Sequence, residues 1–298
     1  MSEPLDWRTD GRIWPHREAS RFIESGGVRW HVQVMGEGPI ILLLHGTGAS
    51  CHSWRDVMPE LAQGFTLVVP DLPGHAFTQG GGAGLKTLPG MARALWGLLD
   101  MLDMQPVLIA GHSAGAAIAL QMALERGGAL PVIGFNPAIM PFAGAGGQIF
   151  PIMAKLLFLN PLVPRLFSGM ARLPGEAGRF LQRSTNSRID AAGLRCYERL
   201  LGNSRHARGA LAMMAGWDLD RLHARLPEVE GPVLLVHSTR DNAVPLSSVR
   251  QAAGHIARAR LEIWEGPGHL AHEGRPGQAA ALFRDFHARL MSGASAKA

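Results

Sequence analysis

The segment from Val107 to Ala116 holds a serine in a setting that makes a hydroxyl group nucleophilic. Ser113 lies in a Gly-x-Ser-x-Gly motif that follows apolar, strand-like residues and precedes a helix-like run. A serine at such a corner has a strained backbone, and its hydroxyl points out of the turn. Gly111 and Gly115 suit the corner, because a Cβ there would collide where strand and helix nearly touch. The motif predicts a nucleophile elbow and therefore a serine hydrolase.

An elbow serine needs a base, because its hydroxyl proton must leave as the oxygen attacks. His269 follows the apolar run 261–264 and a Gly/Pro turn, which is the place expected for that base. Asp241 follows the apolar run 233–237, where an acid that fixes the imidazole tautomer is expected. The chain order Ser113, Asp241, His269 is that of a hydrolase built on an elbow. We therefore predict that these three residues form a catalytic triad.

Other residues near predicted strand ends offer alternative roles. Asn136 stands where a second acid position is expected, but an amide supplies no negative charge. His272 is an alternative base, and Asp71 and His45 are expected to fix loops. Asp241 itself could be an ordinary turn former. The joint order of three residues at three strand ends favours the triad.

The negative oxygen that develops during acyl transfer needs preorganised donors. We expect one donor to be the backbone N–H of Ala114, which follows the nucleophile. We expect the other to be the N–H of Thr47, in the loop after the predicted strand 39–44. Gly46 and Gly48 flank Thr47 and allow the backbone to approach closely.

The elements that must position these residues alternate between apolar strands and helices. This alternation predicts a mostly parallel sheet with helices on both faces. A Gly26-Gly27 pair joins the first two strands as a hairpin. Helices are expected over 91–104, after the elbow and over 278–291, and the predicted strands are 20–24, 28–34, 39–44, 65–69, 107–110, 132–135, 233–237 and 261–264.

Residues 137–216 interrupt this alternation. They begin with a Pro/Gly-rich run, continue with an apolar stretch from Phe150 to Leu159, and then become basic, with ten Lys or Arg against three acidic side chains. We interpret them as a helical lid inserted into a core made of 1–136 and 217–298. A fixed second layer of helices is the alternative. The basic surface would attract an anionic substrate, an acidic partner or an anionic membrane.

Composition narrows the class further. The chain has 298 residues, of which 47% are hydrophobic, and a net charge of +5. It contains no apolar run of membrane-spanning length and no signal peptide, and two cysteines are too few for a disulfide framework. A cytoplasmic location is therefore expected. We expect no metal, no cofactor and no nucleic-acid partner, since no corresponding motif is present.

The motifs together resemble the α/β-hydrolase superfamily with a cap. The resemblance rests on the elbow, the His-Gly-Thr-Gly loop, the Asp-x-Pro-Gly-His turn at 71–75 and the segment 268–276, and it covers all but about the first 20 residues. Segments 29–34, 42–50 and 52–55 are similar to a subfamily, the magnesium-chelatase accessory proteins of bacteriochlorophyll biosynthesis. This implies work near magnesium insertion into a porphyrin, with a chelatase subunit as partner. A basic, apolar lid suits a flat macrocycle with two propionates.

The superfamily also limits the chemistry. Haloalkane dehalogenases and epoxide hydrolases have an aspartate at the elbow, so Ser113 argues against both. Epoxide opening would also need lid tyrosines, and Tyr197 is the only tyrosine of the chain. Three functions stay open: an esterase acting on an apolar, anionic substrate, a porphyrin-binding or assembly protein with an idle triad, and a lipase-like protein in weak contact with a membrane surface. Thioester and carbon–carbon hydrolysis would use the same triad.

Overall fold

The computed structural model describes residues 3–141, 160 and 162–295. Its described strands form one sheet in the order β1-β2-β4-β3-β6-β7-β8-β9, with β5 beside β2. Strand β2 pairs antiparallel with β1, β4 and β5, and the pairs from β3–β4 to β8–β9 are parallel. The strands are β1 Ser20–Ser25, β2 Val28–Met35, β3 Ile40–Leu44, β4 Thr66–Pro70, β5 Gln79–Gly80, β6 Leu108–His112, β7 Val132–Phe135, β8 Val233–Ser238 and β9 Ala259–Trp264.

Helices cover this sheet and extend beyond it. The described α-helices are α1 Met58–Leu61, α2 Leu88–Met101, α3 Ala114–Glu125, α4 Val163–Ala171, α5 Glu176–Thr185, α6 Ala191–Leu201, α7 Ser204–Gly216, α8 Leu219–Arg225, α9 Leu246–His255, α10 Ala271–Gly274 and α11 Pro276–Ser295. Helices α4 to α8 lie between β7 and β8 in the chain, and helix α3 directly follows β6.

Strand β3 shows why the sheet is covered on both faces. Leu42 and Leu44 belong to an apolar cluster that includes α2 and α3. Ile41 and Leu43 belong to a second cluster that includes α1 and α11. Since successive side chains of a strand point to opposite faces, a continuous apolar run requires both faces to be buried. The expectation of a parallel sheet between two layers of helices is confirmed.

The largest differences from the predicted elements lie at their ends. The helix predicted over 91–104 begins at Leu88, because Thr87 accepts a hydrogen bond from the Gly90 N–H at 3.2 Å and caps it. The closing helix extends beyond 278–291 to Pro276–Ser295. Strand β5 was not predicted, since two residues carry no periodic signal.

Four of the helices, α4 to α7, fall within the segment interpreted as a lid, and we call them the cap helices. The apolar stretch from Phe150 to Leu159 and most of the Pro/Gly-rich run before it lie outside the described residues. The domain boundaries at 137 and 216 stay a prediction. Among the described helices, none has both the length and the apolarity needed to cross a bilayer.

Candidate active site

Ser113 occupies the corner between β6 and α3 in a backbone conformation that L-residues rarely adopt. Its φ is +51° and its ψ is −113°. A Cβ on Gly111 would lie 2.1 Å from the Gly115 carbonyl carbon, and one on Gly115 would lie 2.4 Å from the Leu44 carbonyl oxygen. Strand β6, helix α3 and the end of β3 therefore touch through backbone atoms alone, as the elbow motif predicts.

Asp241 and His269 are brought together from the loops after β8 and β9. The His269 Nδ1 lies 2.8 Å from Asp241 Oδ2. The same oxygen accepts a hydrogen bond from Asn136 Nδ2 at 2.8 Å, and Oδ1 accepts from the N–H groups of Ala243 at 2.7 Å and Val244 at 3.0 Å. Asp241 thus forms a turn with one oxygen and holds the imidazole with the other.

The surroundings of Asp241 favour the ionised carboxylate. Burial by itself would raise the pKa of this carboxyl group. The hydrogen bonds from His269, Val244 and Asn136 oppose burial and lower the pKa below its ordinary value. Asn136, which supplies no charge of its own, therefore contributes by stabilising the charge of Asp241. Sequence reasoning missed this role, since only its lack of charge was visible.

His112 connects the loop of His269 to the elbow. Its Nε2 donates to the His269 carbonyl oxygen at 2.9 Å, and the two ring centroids are 4.7 Å apart. Burial lowers the pKa of His112 to about 3, so the ring is neutral. Among the described contacts, no hydrogen bond joins Ser113 Oγ to His269. Such a bond is often long or poorly aligned without substrate.

The loop after β3 packs directly against the elbow. A Cβ on Gly46 would lie 2.8 Å from His112 Nδ1 and 3.1 Å from Ser113 Cβ. Gly48 has a φ of +78°, which favours glycine. Among the described hydrogen bonds, neither the Thr47 N–H nor the Ala114 N–H has a protein acceptor. Two unpaired donors therefore lie on the two segments that meet at Ser113.

His45 and Asp71 fix loops in the structure. His45 Nδ1 donates to the Gly46 carbonyl oxygen at 2.8 Å, and its Nε2 accepts from the Leu72 N–H at 2.9 Å. Asp71 accepts from the N–H groups of Cys51 at 2.9 Å and Phe77 at 3.2 Å. Both therefore hold loop backbone in place, as expected.

His272, the alternative base, is placed for a structural role instead. It is fully buried, and its Nε2 lies 2.7 Å from Ser53 Oγ. Burial lowers the pKa of His272 well below its ordinary value. Among the described contacts His272 has no carboxylate partner, and a lowered pKa makes an imidazole a weak base at neutral pH. His269, which has the carboxylate partner, is the better candidate.

The cap is hydrogen-bonded to the loop that carries His269. The His269 N–H donates to the Thr185 carbonyl oxygen at 2.7 Å, and the Leu270 N–H donates to Ser187 Oγ at 2.9 Å. A Cβ on Gly268 would lie 2.3 Å from the Asn186 carbonyl oxygen. We call this contact between 185–187 and 268–270 the cap joint. Nothing in the sequence pattern indicated it, because it depends on how two distant loops meet.

A buried arginine strengthens the attachment of the cap. Arg55 bonds Glu273 at 2.7 Å and Asp190, which caps α6, at 2.6 Å. Tyr197 of α6 donates to Glu273 at 2.6 Å. Burial raises the pKa of Glu273, although Arg55 opposes that effect. This network joins the segment between β3 and α1, the cap, and helix α10, which begins two residues after His269.

One group of potential metal ligands lies away from the elbow. Among the described residues, His31, Cys51 and Asp71 present ligand atoms within 4.8 Å of one another. His31 Nδ1 already lies 2.7 Å from Asp71, and its Nε2 lies 3.0 Å from Ser20 Oγ. Burial raises the pKa of Cys51 well above its ordinary value, which keeps the thiol protonated. This chemistry fits a hydrogen-bonded network better than a metal site.

The sequence pattern of the alpha/beta hydrolase family matches residues 41–282. The chain is 40% identical to the magnesium-chelatase 30 kDa subunit of Rhodobacter capsulatus, over 90% of this chain and 94% of that protein. It is 27% identical to the 2-hydroxymuconate semialdehyde hydrolase of Pseudomonas sp. strain CF600, over 90% of this chain and 94% of that protein. Its fold matches a thermophilic esterase from Thermogutta terrifontis with a TM-score of 0.69 at 19% identity, over 91% of this chain and 98% of that one.

Proposed function

Because the chain belongs to the alpha/beta hydrolase family, we propose that it is a serine hydrolase that cleaves ester bonds. Ser113 is the nucleophile, His269 the base and Asp241 the acid that orients the base. The backbone N–H groups of Thr47 and Ala114 form the oxyanion hole. The substrate is a small apolar molecule with an anionic group, and no cofactor takes part.

The reaction proceeds through two acyl transfers. Ser113 Oγ attacks the ester carbonyl carbon while His269 Nε2 takes the hydroxyl proton. The carbonyl oxygen becomes negative and accepts hydrogen bonds from the Thr47 and Ala114 N–H groups. The C–O bond to the alcohol breaks, and His269 gives its proton to the leaving oxygen. Water, deprotonated by His269, then attacks the acyl carbonyl carbon, the bond from that carbon to Ser113 Oγ breaks, and His269 returns the proton to Oγ. This releases the acid and regenerates Ser113.

The observation that carries this proposal is the 2.8 Å contact between His269 and a carboxylate whose remaining hydrogen bonds favour its ionised form. A buried carboxylate on Nδ1 leaves Nε2 free to accept a proton from the nucleophile. The strained backbone of Ser113 is the second support, since such strain is characteristic of an exposed elbow serine.

A fluorophosphonate probe tests the nucleophile without knowledge of the substrate. We expect labelling of the folded protein at Ser113, identified by mass spectrometry, and its loss in Ser113→Ala. Ser292→Ala, on the exposed end of α11, is the matched control and should label like the natural chain. Absence of labelling at Ser113 in folded protein would contradict the proposal.

The relationship to the magnesium-chelatase 30 kDa subunit favours a second candidate function. In it the protein binds a porphyrin or a chelatase subunit through the basic cap during bacteriochlorophyll synthesis, and the triad is idle. The two functions differ in which residues they need. The hydrolase needs Ser113, whereas the binding protein needs the cap arginines, such as Arg165 and Arg183, whose cationic groups suit propionates or an acidic partner.

Complementation separates the two. In Rhodobacter capsulatus without its 30 kDa subunit, the hydrolase predicts that Ser113→Ala fails to restore pigment synthesis. The binding protein predicts that Ser113→Ala restores pigment and that Arg165→Glu with Arg183→Glu does not. A cytoplasmic location belongs to both proposals and would be read from fractionation of the same cells.

A further inference from the structure

A pocket lies beside the loop that carries His269, with Gly268 and Leu270 in its lining, and we call it the outer pocket. It has a volume of about 620 Å³, and its lining includes Arg188, Arg240 and Arg275 together with Pro267 and Leu270. Sites for small ligands commonly have volumes of roughly 300 to 1,000 Å³. Space for a small molecule is therefore present at a place that the proposed hydrolysis does not use.

The charge of the outer pocket is uncompensated. Its lining includes three arginines from three separate segments and no acidic residue. Among the described contacts, the side chains of Arg188 and Arg240 form no hydrogen bond or ion pair. Arg275 donates only to neutral groups, the Glu265 carbonyl oxygen and the Gln278 amide at 3.3 Å. Three like charges around one cavity favour an anion between them.

Arg55 offers a comparison, because it is an arginine whose charge is compensated within the protein. It is paired with three carboxylates, those of Glu273, Asp190 and Asp56, at 2.7, 2.6 and 3.2 Å. The arginines of the outer pocket have no such partners. A guanidinium offers planar N–H pairs that fit carboxylate and phosphate oxygens, so those groups are the ligands it would take.

One wall of the outer pocket is the cap joint itself. Asn186, Ser187, Gly268 and Leu270 line the pocket, and the Leu270 N–H to Ser187 Oγ bond of 2.9 Å lies in that wall. His269 is the residue between Gly268 and Leu270. An anion held by Arg188 on the cap side and Arg240 or Arg275 on the core side would therefore hold the two halves of the joint together.

We propose that the outer pocket binds a small multivalent oxyanion, a phosphate or a dicarboxylate, and that the bound anion steadies the loop of His269 through the cap joint. The binding depends only on the three arginines and the cavity. The effect on His269 rests on the proposed hydrolase function.

Calorimetric titration of the full chain tests the binding. Inorganic phosphate and succinate are the two probes, and sodium chloride at equal ionic strength is the reference. We expect saturable binding of at least one probe and a loss of about tenfold or more in affinity for Arg188→Gln with Arg240→Gln. Arg260→Gln, an exposed arginine of β9 outside the pocket lining, is the matched control and should bind like the natural chain.

The two probes also distinguish the source of the anion. Binding of phosphate alone assigns a phosphoryl ligand, and binding of succinate alone assigns a dicarboxylate; either supports the proposal. Heat that does not exceed the chloride reference, or affinity unchanged by the double substitution, overturns it. Circular dichroism confirms that the variants fold, which surface substitutions of this kind permit.

The coupling has its own readout. We expect the saturating anion to raise the rate of fluorophosphonate labelling at Ser113 by about twofold or more in the natural chain and in Arg260→Gln. The double variant should not respond. Binding without any change in labelling rate overturns the coupling, whereas binding in a protein that never labels overturns the hydrolase proposal and leaves the anion site standing.

Discussion

The loop of His269 has two sides that differ in chemistry. The inner side faces the elbow and is lined by buried imidazoles such as His112 and His272, whose pKa values are lowered by burial. The outer side faces a pocket with three arginines, which stay charged at any physiological pH. One side therefore holds neutral imidazoles that fix positions through hydrogen bonds, and the other carries permanent positive charge.

This difference teaches how the two proposed purposes can share one loop. Desolvation keeps the inner imidazoles neutral, so their hydrogen bonds fix positions without adding charge near Ser113. The outer arginines need no pKa shift, because recognition of an anion requires only a permanent charge and a fork of donors. Substitutions on the two sides should consequently change different measurements.

The largest effect is expected on the inner side, at the acid. Asp241→Asn keeps the size of the side chain but removes the charge that holds His269 Nδ1 at 2.8 Å. We expect labelling at Ser113 to slow by roughly 10³- to 10⁴-fold, because an amide fixes the wrong tautomer of the base. The labelling rate is measured with the fluorophosphonate probe at pH 8.

Arg240→Gln, one residue away but on the outer side, is the control for that substitution. Its labelling rate without added anion should stay within about twofold of the natural chain, since a surface substitution leaves the triad in place. Equal losses in both variants would mean that the two sides are not separate.

The second effect concerns the pH dependence of the free energy of unfolding, which the buried imidazoles determine. Burial lowers the pKa of His112 to about 3 and that of His206 to about 4, and it lowers those of His52, His75 and His272 well below normal. Below about pH 6.5 these histidines bind protons in the unfolded chain but stay neutral in the folded chain. The free energy of unfolding should therefore fall between pH 6.5 and 4, by roughly 1.4 kcal/mol per pH unit for each such imidazole.

Urea unfolding at pH 7.5, 6 and 5 measures this loss. Glu273 acts in the opposite direction, because burial raises its pKa and its proton stabilises the folded chain as pH falls. One carboxyl group cannot offset several imidazoles, so the net slope stays positive. His206→Gln should reduce the slope by about one proton, and stability that is independent of pH over this range would contradict the account.

The sequence predicted most of the fold because the strands are continuous apolar runs. Strand β3 consists of Ile and Leu alone, and such a run requires cover on both faces. Element ends were less predictable, since Thr87 caps α2 through a side-chain hydrogen bond that periodicity does not register. Strand β5 is only two residues long and pairs with β2, and so short a strand leaves no periodic pattern in the sequence.

The candidate site also has a part that the sequence predicted and a part that it did not. Ser113, Asp241 and His269 each follow a predicted strand, and the structure places Asp241 and His269 in contact. The sequence did not show that Asn136 bonds Asp241 or that Ser187 bonds the Leu270 N–H, because these contacts depend on which loops meet in space. The outer pocket was also invisible, since its arginines are far apart in the chain.

The cap helices also have a buried and an exposed side. Substitutions at one leucine on each side compare the two. Leu200 of α6 is fully buried in an apolar cluster, whereas Leu166 of α4 is 66% exposed. We expect Leu200→Ala to lower the free energy of unfolding by about 2 to 5 kcal/mol and Leu166→Ala to change it by less than about 0.5 kcal/mol. Urea unfolding at pH 7.5 compares the two, and a large cost for Leu166→Ala would mean that α4 is covered.

The smallest effect that we expect is weak membrane binding by the exposed surface of the cap. Leu162, which directly precedes α4, and Leu166 and Met170 within it recur every four residues, so they share one face, and all three are more than half exposed. Exposed apolar residues beside arginines are typical of segments that bind anionic bilayers weakly. We expect weak flotation with vesicles of anionic lipid, little with neutral lipid, and a decrease as salt is added.

Leu166→Ser with Met170→Ser should reduce that flotation, while Met101→Ser, an equally exposed methionine at the end of α2, should not. The matched control matters because any basic protein is attracted to anionic vesicles through charge alone. If both variants float like the natural chain, charge is the whole cause and the apolar face takes no part. A loss confined to the cap variant would instead show that its outward side recognises a surface as well as a charge.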